Sequence, residues 1–204
     1  KSLEEILSYL ATTSCAVTTN TGNTIPTATS PASFTIPKST PFSLTASASD
    51  ADGDSLAYCW EEYDLGPSSP PDTDTDGQAR PIFRSFSPTS NPMRIFPKLS
   101  DILNNTTTIG ERLPSIGRTM NFQVTVRDNR AGGSAINTST TQVIVNGASG
   151  PFLVTSPNTN VVWPTTSSQT VTWNVANTAS APVNAANVKL SLSTDGGNTF
   201  PITL

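Results

Sequence analysis

Histidine is absent from all 204 residues, and its absence removes whole classes of chemistry. Imidazole is the usual proton shuttle of hydrolytic triads and a common ligand of catalytic zinc. No other pairing of a nucleophile with a base stands out in the sequence. We therefore expect this chain not to be an enzyme.

Cysteine is nearly as scarce, since the chain holds only Cys15 and Cys59. Two thiols without histidine cannot complete a structural zinc site. They are compatible with one disulfide formed in an oxidising compartment. Two pairings remain open, because Cys15 could bond to Cys59 or to a cysteine upstream of this segment.

Charged residues make up only 13% of the chain, and the formal net charge is −4. Lys and Arg are not clustered anywhere, whereas nucleic-acid and anionic-membrane surfaces require clustered cations. No apolar run approaches the ~20 residues of a membrane-spanning helix. We expect neither nucleic acid nor membrane insertion.

Residues that favour β-structure and turns are abundant, among them Thr, Ser, Asn and 17 prolines. One segment, 1–11, has helical patterning, with a capping-box pair at Ser2 and Glu5. Its apolar stripe consists of Leu3, Ile6, Leu7 and Leu10. So short a helix needs a partner for that stripe. We expect 1–24 to be the last helix of a preceding domain plus a linker, in an excerpt of a longer processed precursor. A helix packed on the following module is the alternative.

Two β-modules are predicted after this helix, at 25–146 and 147–204. Apolar and polar residues alternate in short runs separated by turn residues, which is typical of β-sandwiches. The first module has strand signals at 33–36, 42–49, 55–63, 82–86, 93–96, 120–127 and 140–145, with one helical turn at 99–103. The second has them at 152–156, 161–163, 170–175, 188–193 and 200–204, with a hairpin signal at Asp195-Gly-Gly197. It is too short for the about 100 residues of a complete sandwich, so we expect it to be truncated.

Three carboxylates lie within five residues in Asp50-Ala-Asp-Gly-Asp54, and they repel one another unless a cation sits among them. Asp128 begins a second loop, which a Greek-key sandwich would place at the same end. Calcium takes about six to eight oxygen ligands. Asp50, Asp52, Asp54 and Asp128 are therefore candidate calcium ligands. The alternative is that each Asp caps its own turn through hydrogen bonds to the backbone.

Two other clusters of acidic residues are weaker candidates for a functional site. The segment Asp72-Thr-Asp-Thr-Asp-Gly77 imitates the start of an EF-hand loop, but Phe83 stands where the bidentate glutamate belongs. A solvated loop is the better interpretation. Glu61, Glu62 and Asp64 lack the cleft and separation of a sugar-hydrolysing pair, which favours a solvated strand face.

Short motifs follow one another in a fixed order along nearly the whole chain. They are Phe34-Thr-Ile-Pro-Lys-Ser-Thr-Pro-Phe42, Ser49-Asp-Ala-Asp-Gly-Asp-Ser-Leu56, Tyr58-Cys-Trp-Glu61, Phe83-Arg-Ser-Phe86, Phe122 through Val126-Arg-Asp128, Gly150-Pro-Phe-Leu-Val-Thr-Ser-Pro157, Val171-Thr-Trp-Asn-Val175 and Leu192-Ser-Thr-Asp-Gly-Gly197. In this order they resemble a region of secreted bacterial reprolysin-like zinc metallopeptidases. In that family the peptidase domain precedes tandem immunoglobulin-like or PKD-like modules.

The resemblance implies an all-β chain of two tandem immunoglobulin-like β-sandwich modules, the second truncated, preceded by one short N-terminal helix. It implies a secreted, monomeric, non-catalytic region that spaces the peptidase or holds its protein substrate. Zinc would belong to the missing peptidase domain, because the His-Glu-x-x-His motif matches nothing here. The partners would be that peptidase domain and a protein substrate or a surface glycan. The alternative is a carbohydrate-binding or cell-surface adhesion module, for which Trp163, beside a Pro-rich turn, could stack on a sugar.

Overall fold

The computed structural model describes residues 2–15, 17, 19–66 and 80–204. This part of the chain is mostly β, with two short helices, so the expectation of a mainly β chain is confirmed. The elements are α1 (Ser2–Leu10), β1 (Phe34–Pro37), β2 (Phe42–Thr45), β3 (Ala57–Glu62), β4 (Met93–Phe96), α2 (Leu99–Asn104), β5 (Arg118–Arg127), β6 (Ile136–Asn146), β7 (Leu153–Ser156), β8 (Thr172–Asn174), β9 (Ser191–Leu192) and β10 (Ile202–Thr203). Neither helix has the length and apolar character needed to cross a bilayer.

A four-stranded sheet with the order β1-β6-β5-β3 is the largest layer. β5 is antiparallel to both β6 and β3, whereas β1 is parallel to β6. The side chains of β5 alternate, because Met120, Phe122 and Val124 are fully buried while Asn121 and Gln123 lie on the other face. This period of two is what directs one face of the sheet towards the core.

The second layer is the antiparallel pair β2 and β4, in which Phe42 lies opposite Phe96. Both rings contact Phe122 of the larger sheet, at centroid distances of 5.8 Å from Phe42 and 4.9 Å from Phe96. Trp60 of β3 is 3% exposed, and its indole Nε1–H donates to the carbonyl of Pro92 at 3.0 Å. The two sheets therefore share one aromatic core.

One predicted strand of the first module, 82–86, is reduced to a single bridge between Phe83 and Glu111. The backbone N–H groups of Ile82 and Phe83 donate to the Glu62 carboxylate, at 2.6 and 2.8 Å. A side chain therefore takes the place of a neighbouring strand as the acceptor for these amides.

Residues 147–204 form two separate two-stranded sheets, β7–β8 and β9–β10. The predicted hairpin at Asp195 is confirmed, because it joins β9 to β10. The segment 161–163 forms no strand, and Val162 is 97% exposed. All the buried hydrophobic residues of the described chain lie between Ile36 and Val145. That residues 147–204 are an incomplete module stays a prediction.

The apolar stripe of α1 is not covered within the described part of the chain, since Ile6, Leu7 and Leu10 are 50–56% exposed. The helix contacts the sandwich through Tyr63, whose hydroxyl donates to Glu4 Oε2 at 2.7 Å. The assignment of this helix to a preceding domain stays a prediction.

Candidate metal centre

The loop between β2 and β3 brings three carboxylates together. One oxygen from each of Asp50, Asp52 and Asp54 lies within 4.8 Å of the other two. The loop turns this way because Asp50 Oδ1 accepts the backbone N–H of Asp52 at 2.9 Å and of Asp54 at 3.1 Å. Gly53 completes the turn with a φ of 78°, which L residues rarely adopt. The three side chains are close enough together that they could hold a metal ion.

Two oxygens of this cluster lack a hydrogen-bond donor. Asp50 Oδ2 and Asp54 Oδ2 are both buried from solvent and have no hydrogen-bond partner. Asp52 differs, because it accepts the backbone N–H of Thr24 at 2.7 Å. A carboxylate oxygen that is shielded from water and unbonded costs free energy. A cation is the natural group to remove that cost.

Arg130 supplies part of the positive charge that the sequence requires at this loop. Its Nη1 lies 3.3 Å from Asp52 Oδ2 and 3.9 Å from Asp54 Oδ2. One guanidinium against three carboxylates leaves two formal negative charges. Arg130 was not predicted as a site residue, although its position two residues after Asp128 in the facing loop was a usable signal.

Asp128 lies outside the group of three carboxylates and orders its own loop instead. It is fully buried, and it accepts the Asn23 side-chain amide at 2.6 Å and the backbone N–H of Ala135 at 2.9 Å. Burial acts to raise the pKa of Asp128. The hydrogen bonds, including those from Arg130 N–H and Ser134, outweigh burial and hold that pKa below its usual range. Its contacts are those of a turn-capping residue.

The loops 50–54 and 128–135, which the sequence analysis expected at the same end of the module, lie side by side. Arg130 bridges them, and the Asn129 side chain donates to the carbonyl of Ser55 at 3.1 Å. Asn23 and Thr24 also pack here through the bonds to Asp128 and Asp52. These two residues, assigned to a linker on composition alone, therefore contact the first module.

The remaining predicted site residues have structural surroundings. Cys15 is an exposed free thiol and Cys59 a buried one, so the structure does not contain the Cys15–Cys59 disulfide. Burial, reinforced by the nearby Glu61, raises the pKa of the Cys59 thiol, which makes it a poor nucleophile. The predicted solvated face was wrong for Glu62, whose side chain is fully buried beside Arg118 at 3.2 Å. The EF-hand-like segment 72–77 lies outside the described residues.

No family model, curated protein or solved structure matches this chain.

Proposed function

We propose that this chain is a non-catalytic, immunoglobulin-like accessory region of a secreted zinc metallopeptidase, and that its β2–β3 loop binds calcium. In this role the region positions the peptidase domain or holds its protein substrate. The calcium ion would stiffen the end of the first module at which residues 22–24, 50–54 and 128–135 meet.

The topology of the first module supports the immunoglobulin-like assignment. The chain passes from β2 in one sheet to β3 in the other, returns to β4 beside β2, and then forms β5 beside β3 and β6 beside β5. The immunoglobulin sandwich distributes its B, C, E, F and G strands in this way. A buried tryptophan on strand C is a further hallmark of that fold, and Trp60 on β3, the strand in the position of C, fits it.

The peptidase parentage rests on the order of sequence motifs, and it has a direct test. The coding sequence upstream of Lys1 should contain a His-Glu-x-x-His motif within one domain length. In the complete precursor, deletion of residues 25–204 should reduce cleavage of a folded protein substrate and spare cleavage of a short peptide. If no such motif precedes Lys1, the parentage is wrong.

The outward face of the four-stranded sheet gives the carbohydrate-binding alternative no support. Such modules use exposed aromatic rings to stack on sugars. On β5 and β6 the outward positions are Thr119, Asn121, Gln123, Thr125, Arg127, Ile136, Thr138, Thr140, Gln142, Ile144 and Asn146. None of these is aromatic. Trp163 is 44% exposed but lies in a segment without strands.

Calcium binding is carried by one observation, the two buried oxygens of Asp50 and Asp54 that accept no hydrogen bond. Calcium prefers oxygen ligands in flexible geometry, and extracellular modules bind it with a Kd of about 0.1–1 mM. At about 10 mM calcium, linkage then predicts that the free energy of unfolding rises by about 1–3 kcal/mol. Thermal unfolding in calcium, in magnesium and in excess chelator measures this change.

Matched variants distinguish a calcium site from a purely structural turn. Asp54→Asn should abolish the calcium-dependent rise in melting temperature. Asp195→Asn is the control, because Asp195 also sits in a Gly-containing turn but is bonded by Ser193 and Thr199. Arg130→Met should lower stability in chelator and enlarge the calcium response, since it removes the competing cation. A wild-type melting temperature that is equal in calcium and chelator would contradict the calcium site and favour the turn-capping interpretation of these aspartates.

A further inference from the structure

A cavity of about 400 Å³ opens at the edge of the first module, where β3 and β4 meet. Both strands are at the edges of their sheets, because β3 pairs only with β5 and β4 only with β2 among the named strands. The cavity is bounded by these strands, by the segment 86–91 and by the start of α2. Its volume lies within the range of about 300–1,000 Å³ that small-molecule sites occupy.

The C-terminal segment, residues 147–204, forms part of the cavity rim. Asn198, in the turn between β9 and β10, is one of the lining residues. Its neighbour Gly197 packs against the end of the Leu103 side chain on α2. Pockets at which different parts of a chain meet are frequent ligand sites.

The lining is largely apolar and partly open to solvent. Trp60 and Ile95 lie in the wall together with Leu99, while Phe86 and Met93 are 40–41% exposed. Two large apolar side chains, both exposed at one cavity, lose water contacts when a ligand enters. Burial of their surface by a ligand therefore favours binding.

The charges around the cavity are all positive among its described lining residues, which include Arg94 and Lys98 but neither Asp nor Glu. Arg94 is already neutralised, because its guanidinium lies 2.7 Å from Glu111. Lys98 is paired more loosely, with its Nζ 3.7 Å from Asp101. Asp101 in turn accepts hydrogen bonds from Thr106 and Thr108. Lys98 is therefore the cation that a ligand can engage.

We propose that this cavity binds a small apolar molecule that carries one carboxylate, with its apolar part between Phe86, Met93 and Trp60 and its carboxylate at Lys98. Two sources share this chemistry: a free aromatic or branched acid, and the C-terminal residue of a peptide. The site is independent of the calcium loop.

The indole N–H resonance of Trp60 reports on the site in a ¹H–¹⁵N spectrum. Trp163 and Trp173 provide two internal controls, because neither lines the cavity. Titration with 3-phenylpropionate should shift the Trp60 resonance selectively, with a Kd of about 1 mM. The alcohol 3-phenylpropan-1-ol should bind more weakly, because it retains the ring and loses the charge.

Substitutions separate the charged contact from the apolar one. Lys98→Met should weaken 3-phenylpropionate binding about fivefold and leave binding of the alcohol unchanged. Lys189→Met, which removes an exposed lysine elsewhere, should change neither. Ser87→Trp, which adds a ring at an exposed lining position, should abolish binding of both probes while the resonances of β5 stay in place.

Two dipeptide probes identify the source of the carboxylate. Acetyl-Gly-Phe with a free carboxylate would bind, and its amide would not, if chain ends are accepted. Binding of 3-phenylpropionate alone would assign the site to free acids, and either result supports the proposal. Equal affinities for the acid and the alcohol, or no shift at Trp60 with any probe at about 10 mM, would overturn it.

Discussion

Glu62 shows how much the surroundings of a single residue can differ from its sequence pattern. Its position on β3 beside Glu61 indicated a solvated face, yet its side chain is fully buried. Two backbone N–H groups and Arg118 surround the carboxylate. Burial raises the pKa of Glu62 to about 8, against the opposing effect of these bonds and with a further rise from the Asp64 hydrogen bond.

The raised pKa of Glu62 makes stability depend on pH in a definite direction. An unfolded glutamate loses its proton near pH 4.5, whereas the folded one holds it to about pH 8. The contribution of Glu62 to the free energy of unfolding is therefore complete below pH 4.5. It is lost, by several kcal/mol, as the pH rises to about 8. Urea unfolding between pH 4.5 and 9 should show this decline.

The Glu62→Gln variant tests the origin of that decline. Glutamine resembles the protonated acid and does not titrate, so the stability of this variant relative to wild type should increase steadily from pH 4.5 to 8. Glu61→Gln is the control on the same strand, because Glu61 is only partly buried. Parallel curves for wild type and Glu62→Gln would show that the decline arises elsewhere.

At the scale of elements, Arg94 ties β4 to its surroundings. Its guanidinium donates to the carbonyls of Trp60 and Arg84, at 2.6 and 2.7 Å, and pairs with Glu111. The same group lies 4.4 Å from the ring centroid of Phe96, a cation–π contact. Glu111 Oε2 also accepts the backbone N–H of Lys98, just before α2, at 2.8 Å. One ion pair thus joins β3, β4 and the start of α2.

Glu111→Gln should lower the free energy of unfolding by about 3 kcal/mol, because it leaves the buried Arg94 without a counter-charge. Glu4→Gln, at an exposed carboxylate on α1, should change it by less than about 0.5 kcal/mol. The single variants Arg94→Met and Glu111→Leu should each lower the free energy of unfolding. The double variant that combines them should lose less than the sum of these two losses. Additive losses in urea unfolding would mean that the two side chains do not stabilise each other.

Most elements of the first sandwich could be predicted because burial of one sheet face imposes a period of two. The strand predicted at 93–96 matches β4, and α2 extends the helical turn predicted at 99–103 by one residue. The candidate site was only partly predictable. The spacing within 50–54 identified the carboxylates, and the position of Arg130 close to Asp128 was a usable signal for their partner, but Thr24 reaches Asp52 through long-range packing that no local pattern encodes.

At the scale of the whole molecule, buried apolar surface is concentrated in the first sandwich. Phe122, Val124 and their neighbours are fully buried, whereas Val154 of β7 is 49% exposed and Phe200 50%. Since burial of apolar surface is the main stabilising contribution to a fold, residues 147–204 should open at a lower free energy than the first module. The short strands there, of two to four residues, agree with this expectation.

Hydrogen exchange should therefore resolve two units that open independently. Amides of 120–126 in β5 should exchange only through global unfolding of the sandwich. Amides of β8 should exchange through a local opening of lower free energy. Phe122→Ala removes the ring that both sheets contact and should cost about 3–5 kcal/mol. Protection of 120–126 should fall accordingly, while the already low protection of 172–174 should not change. If protection of β8 starts high and falls in parallel with that of β5, the chain unfolds as one cooperative unit, and the second segment owes its stability to the first.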